Sequence, residues 1–183
     1  KDQLLEEKSS NGGRYIMKGV LQKANTLNQN GRIYPIEILS REIRNYQKFI
    51  AERRALGELD HPESSVVELK NASHIITEAH MEGDVCYGTV EILSTPAGDI
   101  LKSLVDSGVT LGISSRGVGS TRREGENQVV QDDFQLICWD FVSEPSTPGA
   151  FMMKEGKEIN EADLNKVFNK SDRVDRILND ILT

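Results

Sequence analysis

The sequence predicts an α+β domain built on an antiparallel β-barrel or sheet with packed helices. Hairpin-like strand signals stand beside isolated helical segments, and the regular strand-helix alternation of a parallel doubly wound sheet is absent. At 183 residues, with 37% hydrophobic and 28% charged side chains, the chain has the length and balance of one globular domain with a hydrophobic core.

The composition divides the chain into three parts. Residues 1–13 are polar and end in a Ser/Asn/Gly run, which predicts a flexible N-terminal segment. Residues 14–153 carry the strand and helix signals of the folded domain. Residues 154–183 predict a linker and an amphipathic C-terminal helix, because apolar residues recur there at helical spacing. Such a stripe more often packs within its own chain than against another subunit, and both arrangements stay open.

Four elements are predicted in the first half of the folded domain. A strand signal at residues 15–21 runs into a turn that closes with Asn30-Gly31, a strong turn pair. A helix is predicted over residues 35–54, since Pro suits a first helical turn and apolar residues follow at three- and four-residue spacing. Residues 73–93 predict a β-hairpin around a loop that contains Gly83.

The second half of the domain continues with one helix and two strands. Pro96 begins a shorter amphipathic helix that stops at Gly108. Residues 110–120 and 129–142 predict strands, and the charged stretch 122–126 separates them.

Charge and cysteine content exclude several classes of protein. The chain has 22 Lys and Arg against 29 Asp and Glu, a formal charge of −7, and no basic stripe, so we predict no nucleic-acid partner. No apolar run approaches the roughly 18 residues that a membrane span needs, and no signal peptide is evident. We therefore expect a soluble, intracellular, trimmed protein. Cys86 and Cys138 lie in apolar strand-like runs and predict buried free thiols.

Any histidine-dependent mechanism must use one of three histidines. His74 and His80 fall six residues apart in one predicted strand and so on one face, but no Cys or carboxylate cluster completes a site; we predict no metal and no cofactor. His61 differs, because Pro62 favours an extended backbone before it and Gly57 permits close packing nearby. A plain strand-to-loop transition with an exposed histidine explains the same residues.

A glycine-rich strand supplies a candidate nucleophile. Strand alternation sets Ser114 and Arg116 on one face, whereas Leu111, Ile113 and Ser115 form a core-like face. A serine left free beside an arginine is what a nucleophile and an electrophilic stabiliser need. A glycine-rich bend at a barrel corner is the competing interpretation.

One acid, Asp140, interrupts the otherwise apolar strand of residues 134–142. A buried carboxylate costs free energy unless it has a donor, and a histidine N–H is a natural one. Asp140 could instead lie at a wet strand end or pair with an arginine. Together, Ser114, His61 and Asp140 would complete a nucleophile, a base and an orienting acid from three separate segments.

Four blocks of this sequence resemble one protein family. Residues 56–62 (Leu-Gly-Glu-Leu-Asp-His-Pro) and 112–117 (Gly-Ile-Ser-Ser-Arg-Gly) resemble, in order and spacing, the prohead core proteases of T-even-type bacteriophages. Residues 28–35 and 145–150 resemble the same family, and the likeness runs over residues 15–151. Agreement of several uncommon blocks is specific, whereas any one block alone would be weak.

The resemblance implies a fold, an activity and a setting. The fold would be related to herpesvirus assembly proteases, an antiparallel β-barrel with packed helices. The activity would be that of a serine endopeptidase that cleaves scaffold or core proteins, the major capsid protein and itself. It would act in the host cytoplasm, inside the immature phage head, as a homo-oligomer. Relatives cleave after a glutamate in short motifs.

The resemblance also implies site residues. His61 and Ser114 match the family's base and nucleophile, with Ser115 as the rival nucleophile. Some relatives use a second histidine as the third member, so Asp140 rests on its strand position. Arg116, directly or through a held water, and a backbone N–H between Ser115 and Gly117 would stabilise the oxyanion.

Two other functions compete with this hypothesis. A non-enzymatic phage structural or assembly protein can share such a barrel, since fold does not fix function. Only a protease needs His61 within reach of Ser114. Another serine hydrolase is disfavoured, because the Gly-x-Ser-x-Gly elbow of α/β-hydrolases is absent around Ser114.

Overall fold

Ten strands and two α-helices are present in residues 13–154, the part of the chain that this computed structural model describes. In chain order they are β1 (Tyr15–Lys23), β2 (Arg32–Ile33), α1 (Ile36–Ala51), β3 (Leu56–Glu58), β4 (Ala72–Glu82), β5 (Val85–Ile92), α2 (Pro96–Asp106), β6 (Leu111–Val118), β7 (Thr121–Glu124), β8 (Asn127–Val130), β9 (Gln135–Val142) and β10 (Phe151–Lys154). A short 3-10 turn, Leu69–Asn71, precedes β4.

Seven strands form one sheet in the order β3-β4-β5-β1-β10-β6-β9, and neighbouring strands are antiparallel throughout. The two outer strands meet. Leu59, just after β3, bridges Phe141 in β9, and the Asp60 N–H donates to the Phe141 carbonyl at 2.8 Å. The sheet is therefore a nearly closed barrel, and the predicted α+β class with an antiparallel barrel is confirmed. A smaller sheet has the order β2-β8-β7.

The two helices begin where local chemistry favours a helix start. Pro35 lies at the cap position of α1, where its missing N–H costs nothing. The Thr95 hydroxyl caps α2 by accepting a hydrogen bond from the Gly98 N–H at 3.0 Å. Helix α1 buries its apolar face in the core, and the ring of Tyr46 packs edge-on against Trp139 of β9 at 5.0 Å. This contact anchors the strand that carries Asp140.

The sequence prediction is wrong between residues 121 and 142. The charged stretch 122–126, predicted as a separator, forms β7 and its turn into β8; all four residues of β7 are exposed, so their charges need no burial. The predicted single strand over 129–142 is two strands, because the Phe134 N–H closes a turn on the Gln131 carbonyl at 3.1 Å. Strand β10 occupies the end of the domain, where we expected no strand.

Several other expectations can be compared with the described residues. Cys86 and Cys138 are buried free thiols, as predicted. Within residues 13–154, no helix is long and apolar enough to cross a membrane. The predicted C-terminal helix, and the N-terminal segment before Gly13, lie outside the described residues.

Candidate active site

The site begins with two neighbouring strands. Ser114 in β6 pairs directly with Asp140 in β9. Directly opposed residues of an antiparallel pair point to the same face, so both side chains share one face of the barrel wall. Arg116, opposite Cys138, lies on that face as well. Ser114 and Arg116 were predicted on one strand and Asp140 on another, and the β6–β9 register brings the three side chains together.

His61 reaches Asp140 across the seam of the barrel. The bridge of Leu59 to Phe141 aligns the end of β3 with β9, and Asp60 follows with a left-handed φ of 62°. The Nδ1 atom of His61 then lies 3.1 Å from Oδ2 of Asp140. The His61 side chain is 46% exposed, whereas Asp140 is fully buried. The imidazole is therefore anchored at one nitrogen and open at the other.

Close approach of β3 to β9 requires a glycine at position 57. A Cβ there would lie 2.2 Å from the Trp139 carbonyl oxygen and 2.3 Å from Nε2 of His74. These separations are shorter than real Cβ contacts, so any side chain would push β3 away from β9. The close packing that the sequence suggested near His61 is thus present, and it brings Glu58 and His61 within reach of Asp140.

Asp140 accepts hydrogen bonds from four residues. The Glu58 N–H donates to Oδ1 at 3.1 Å, and the Arg116 guanidinium donates through Nε to Oδ2 at 2.9 Å and through Nη2 to Oδ1 at 3.0 Å. The Cys138 thiol lies 3.4 Å from Oδ1, and His61 completes the set. Both carboxylate oxygens of Asp140 therefore accept hydrogen bonds inside the protein.

These partners decide the charge of Asp140. Burial raises the pKa of the carboxyl, but hydrogen bonds from His61, the Glu58 N–H and Arg116, with the Arg116 charge, outweigh it and lower the pKa below its usual range. An ionised carboxylate only accepts, so Nδ1 of His61 carries the donated proton. In the neutral imidazole this arrangement leaves the lone pair on Nε2, the nitrogen that a general base would use.

Arg116 binds two buried carboxylates and a carbonyl. Besides Asp140, Nη2 donates to Oε2 of Glu58 at 2.7 Å and Nη1 donates to the Ser64 carbonyl at 2.8 Å. Burial alone would lower the pKa of the guanidinium. The hydrogen bonds and charges of Glu58 and Asp140 outweigh this effect, so the pKa is raised above its usual value. The sequence predicts an oxyanion role for Arg116; in the structure its donors point to these acceptors instead.

Ser114 is 6% exposed, and its hydroxyl has a partner that sequence reasoning missed. Its Oγ lies 3.0 Å from Oγ of Ser146, in the loop between β9 and β10. That loop is held by the Gln29 N–H, which donates to the Ser146 carbonyl at 2.9 Å. Among the described residues, no hydrogen bond joins Ser114 to His61. Catalytic hydrogen bonds are often absent or long without substrate.

Ser115 and the backbone beside it lie differently from Ser114. Ser115 pairs with Trp139, on the core face, away from Asp140. The Ile113 N–H donates to the Ala150 carbonyl at 2.9 Å. The strand pairing of β6 with β10 extends no further along β6 than Gly112. Because strand N–H groups alternate in direction, the Ser115 N–H points to the same edge as the Ile113 N–H, past the end of that pairing, whereas the register of β6 against β9 shifts before Gly117.

His74 is a structural histidine. It is fully buried and is hydrogen-bonded through Nδ1 to the Ser73 hydroxyl at 2.7 Å and through Nε2 to the Trp139 carbonyl at 2.8 Å. Burial lowers the pKa of His74 to about 4, although the bond to Trp139 and the charge of Asp140 oppose that shift. His74 is therefore neutral near pH 7. Its hydrogen bond to the Trp139 carbonyl connects β4 to β9 beside Gly57.

His80 does not share a face with His74. A β-bulge between Ile76 and Glu78 shifts the register of β4 against β5, so the six-residue spacing no longer keeps both side chains on one side. His80 lies half-exposed between Glu78 and Glu82, at 3.1 and 3.0 Å. Within residues 13–154, no group of three or more His, Cys, Asp or Glu side chains could hold a metal ion.

Comparison with known proteins identifies the family. Residues 4–164 match the family described as prohead core protein serine protease. The prohead core protein protease of Enterobacteria phage T4 is 34% identical over 155 residues, which cover 82% of this chain and 72% of that protein. The solved structure of the bacteriophage T4 capsid assembly protease matches with a TM-score of 0.69 at 29% identity, over 71% of this chain and 82% of that chain.

The predicted family resemblance is thereby confirmed, by sequence over most of the chain and by fold over the barrel. The barrel brings His61 into contact with the buried Asp140 and sets Ser114 directly opposite Asp140 in the neighbouring strand. With both kinds of match in agreement, this chain belongs to the prohead core protein serine protease family, the proteases of phage head maturation.

Proposed function

We propose that this protease is a serine endopeptidase in which Ser114 attacks the scissile carbonyl, His61 takes the serine proton and Asp140 orients the imidazole. One observation carries the proposal: the buried Asp140 carboxylate binds Nδ1 of His61 and pairs with Ser114 across the β6–β9 ladder. A barrel with a purely structural role would need Asp140 only as the partner of Arg116 and would have no use for its bond to a half-exposed histidine.

The contact with Ser146 limits how the Ser114 hydroxyl can release its proton. Each hydroxyl has one proton to donate. If Ser114 donates to Nε2 of His61, it can keep its 3.0 Å contact with Ser146 only by accepting a hydrogen bond from that residue. Ser146 thus holds the Ser114 oxygen while His61 removes the proton. His61 then gives this proton to the amine that leaves as the peptide C–N bond breaks. Water, deprotonated by His61, next attacks the acyl-enzyme, and the proton returns to Ser114 as the acid product is released.

The oxyanion is stabilised by backbone N–H groups rather than by Arg116. The N–H of Ser115 follows the nucleophile and points to the edge where the β6–β10 pairing has ended, and the N–H of Gly117, just after the register shift, is the second candidate donor. Each such donor contributes roughly 3 kcal/mol to the transition state. Arg116 acts on Asp140 instead, because its donors bind that carboxylate, Glu58 and the Ser64 carbonyl.

The setting is inferred from the relatives. The T4 proteins are named a prohead core protein protease and a capsid assembly protease. We therefore infer that this chain cleaves scaffold or core proteins, the major capsid protein and itself, inside the prohead in the host cytoplasm. Containment in an assembling head favours a homo-oligomer, with no cofactor, nucleic acid or membrane taking part.

The test is cleavage of purified scaffold and capsid proteins from the same genome, followed by intact mass between pH 5 and pH 8. We expect discrete fragments and a rate that rises more than about tenfold over this range, because an imidazole acts as a base only when neutral. His61→Ala provides the matched control. A flat pH profile would exclude His61 as the base, and intact substrates at every pH would favour the structural-protein alternative.

A further inference from the structure

We propose that Glu58 is a positioning residue: through Arg116, its negative charge sets how strongly Asp140 stabilises protonated His61. This inference rests on the proposed roles of Ser114, His61 and Asp140. Glu58 touches neither the nucleophile nor the base, so its effect passes through the Arg116 guanidinium.

Glu58 holds the site in two ways. Its backbone N–H donates to Oδ1 of Asp140 at 3.1 Å, and its carboxylate accepts from Nη2 of Arg116 at 2.7 Å. The residue is 1% exposed, at the end of β3, where the register against β4 shifts between Gly57 and Glu58. Such a bulge re-aims a side chain, and here the carboxylate points inward to the arginine.

The charges of this cluster explain why a second acid is present. Arg116 and Asp140 together have no net charge, so a pair of only these two would attract an imidazolium weakly. Glu58 restores one negative charge to the cluster. When His61 takes the Ser114 proton, these four side chains sum to zero, and the negative charge moves to the oxyanion on the substrate.

The other buried titratable groups near the cluster have no charge at the pH of the test, and water screens the charge of Asp60, which is exposed. Cys138, on β9, faces Asp140, and burial together with the Asp140 charge raises the pKa of its thiol above the usual range. His74, on β4, packs edge-on against Phe141, and its pKa lies near 4. Asp60, beside His61, is exposed. Between pH 5 and 8 the buried charge balance is therefore that of Glu58, Arg116, Asp140 and His61.

A structural role predicts something different from an electrostatic one. If Glu58 only satisfied the donors of Arg116, Glu58→Gln would keep an acceptor oxygen and change stability alone. An electrostatic role predicts that the imidazolium loses stabilisation. The acid limb of kcat/KM then moves to lower pH by about 1 unit, and the plateau falls by about three- to tenfold, because a base that is weaker by one pKa unit takes the serine proton more slowly.

The experiment follows His61 directly as well as through activity. The Cε1–H signal of His61 is titrated by NMR in Ser114→Ala protein, with and without Glu58→Gln, and kcat/KM is measured from pH 5 to 8 with Ser114 intact. Glu42→Gln is the matched control, because Glu42 is also buried and bonded to an arginine, Arg41, but it binds the Leu136 N–H at the start of β9.

We expect the His61 midpoint to drop about 1 pH unit in Glu58→Gln and to stay unchanged in Glu42→Gln. An unchanged midpoint in Glu58→Gln would overturn the proposal. Should Glu58→Gln not fold, Glu58→Asp keeps the charge and must retain the wild-type midpoint; a drop there would equally overturn it. If wild-type protein and its His61→Ala variant cleave at the same rate, the proposed function itself is refuted.

Discussion

Ser114→Ala is expected to abolish cleavage of scaffold and capsid proteins, lowering kcat by roughly a millionfold, as loss of the nucleophile does in serine peptidases. The fold should survive, because the side chain gives up only one hydrogen bond, to Ser146, worth about 1 kcal/mol. A time course of intact mass, with circular dichroism of both proteins, measures the two effects separately.

Ser115→Ala is the control for this substitution. Ser115 pairs with Trp139, so its side chain lies on the core face of β6, opposite to the face that carries Asp140 and its contact with His61. We expect cleavage within about threefold of wild type, since only a modest packing change is made. The assignment fails if Ser115→Ala is inactive while Ser114→Ala still cleaves, and the nucleophile then belongs to Ser115.

Asp140→Asn is expected to lower kcat by about ten-thousandfold, since an amide in place of the carboxylate favours the wrong imidazole tautomer and cannot balance the imidazolium. Unlike Ser114→Ala, it should also destabilise the fold by about 3 kcal/mol or more, because Arg116 stays buried with one carboxylate fewer. Urea denaturation at neutral pH, beside the cleavage assay, checks both expectations.

The acid dependence of stability has a definite sign for the same residue. The pKa of Asp140 is lowered in the fold, so its charged form stabilises the protein above the ordinary carboxyl pKa, and this contribution is lost as pH falls through the lowered value. Wild type should lose stability steeply below about pH 4, and Asp140→Asn less steeply. Equal slopes and equal kcat would show that Asp140 does neither task.

Local patterns were sufficient for much of the fold. Periodicity and turn residues predicted β1, both helices and the β4–β5 hairpin, because each forms from neighbours in sequence. They failed at two local features that have no hydrophobic periodicity. The break between β8 and β9 is a turn that the Phe134 N–H closes on the Gln131 carbonyl, and β7 is a fully exposed, charged strand that pairs with β8.

The sequence predicted the candidate site only in part. Ser114 and Asp140 follow from strand alternation, and the register of β6 with β9 was the missing step. His61 meets Asp140 over a separation of 79 residues, which only closure of the barrel can bring about. The binding of Arg116 to Asp140 combines two interpretations that the sequence left as alternatives, since the acid pairs with an arginine and with the histidine together.

Two site residues carried weaker signals. Glu58 lies three positions before His61 in a segment with strand character, and an acid there needs a buried cation, which Arg116 supplies. Ser146 lies in a proline-rich block whose only sequence signal was the family resemblance. Its contact with Ser114 depends on how the loop between β9 and β10 is held, and no local pattern encodes that.

The most direct test of Ser114 as the activated nucleophile is covalent labelling with a fluorophosphonate, followed by peptide mass mapping. We expect one adduct, on Ser114, with labelling slowed at least about a hundredfold in His61→Ala because the serine is no longer deprotonated by a base. An adduct on Ser115, or equal labelling of wild type and His61→Ala in a protein that cleaves its substrates, would contradict the mechanism.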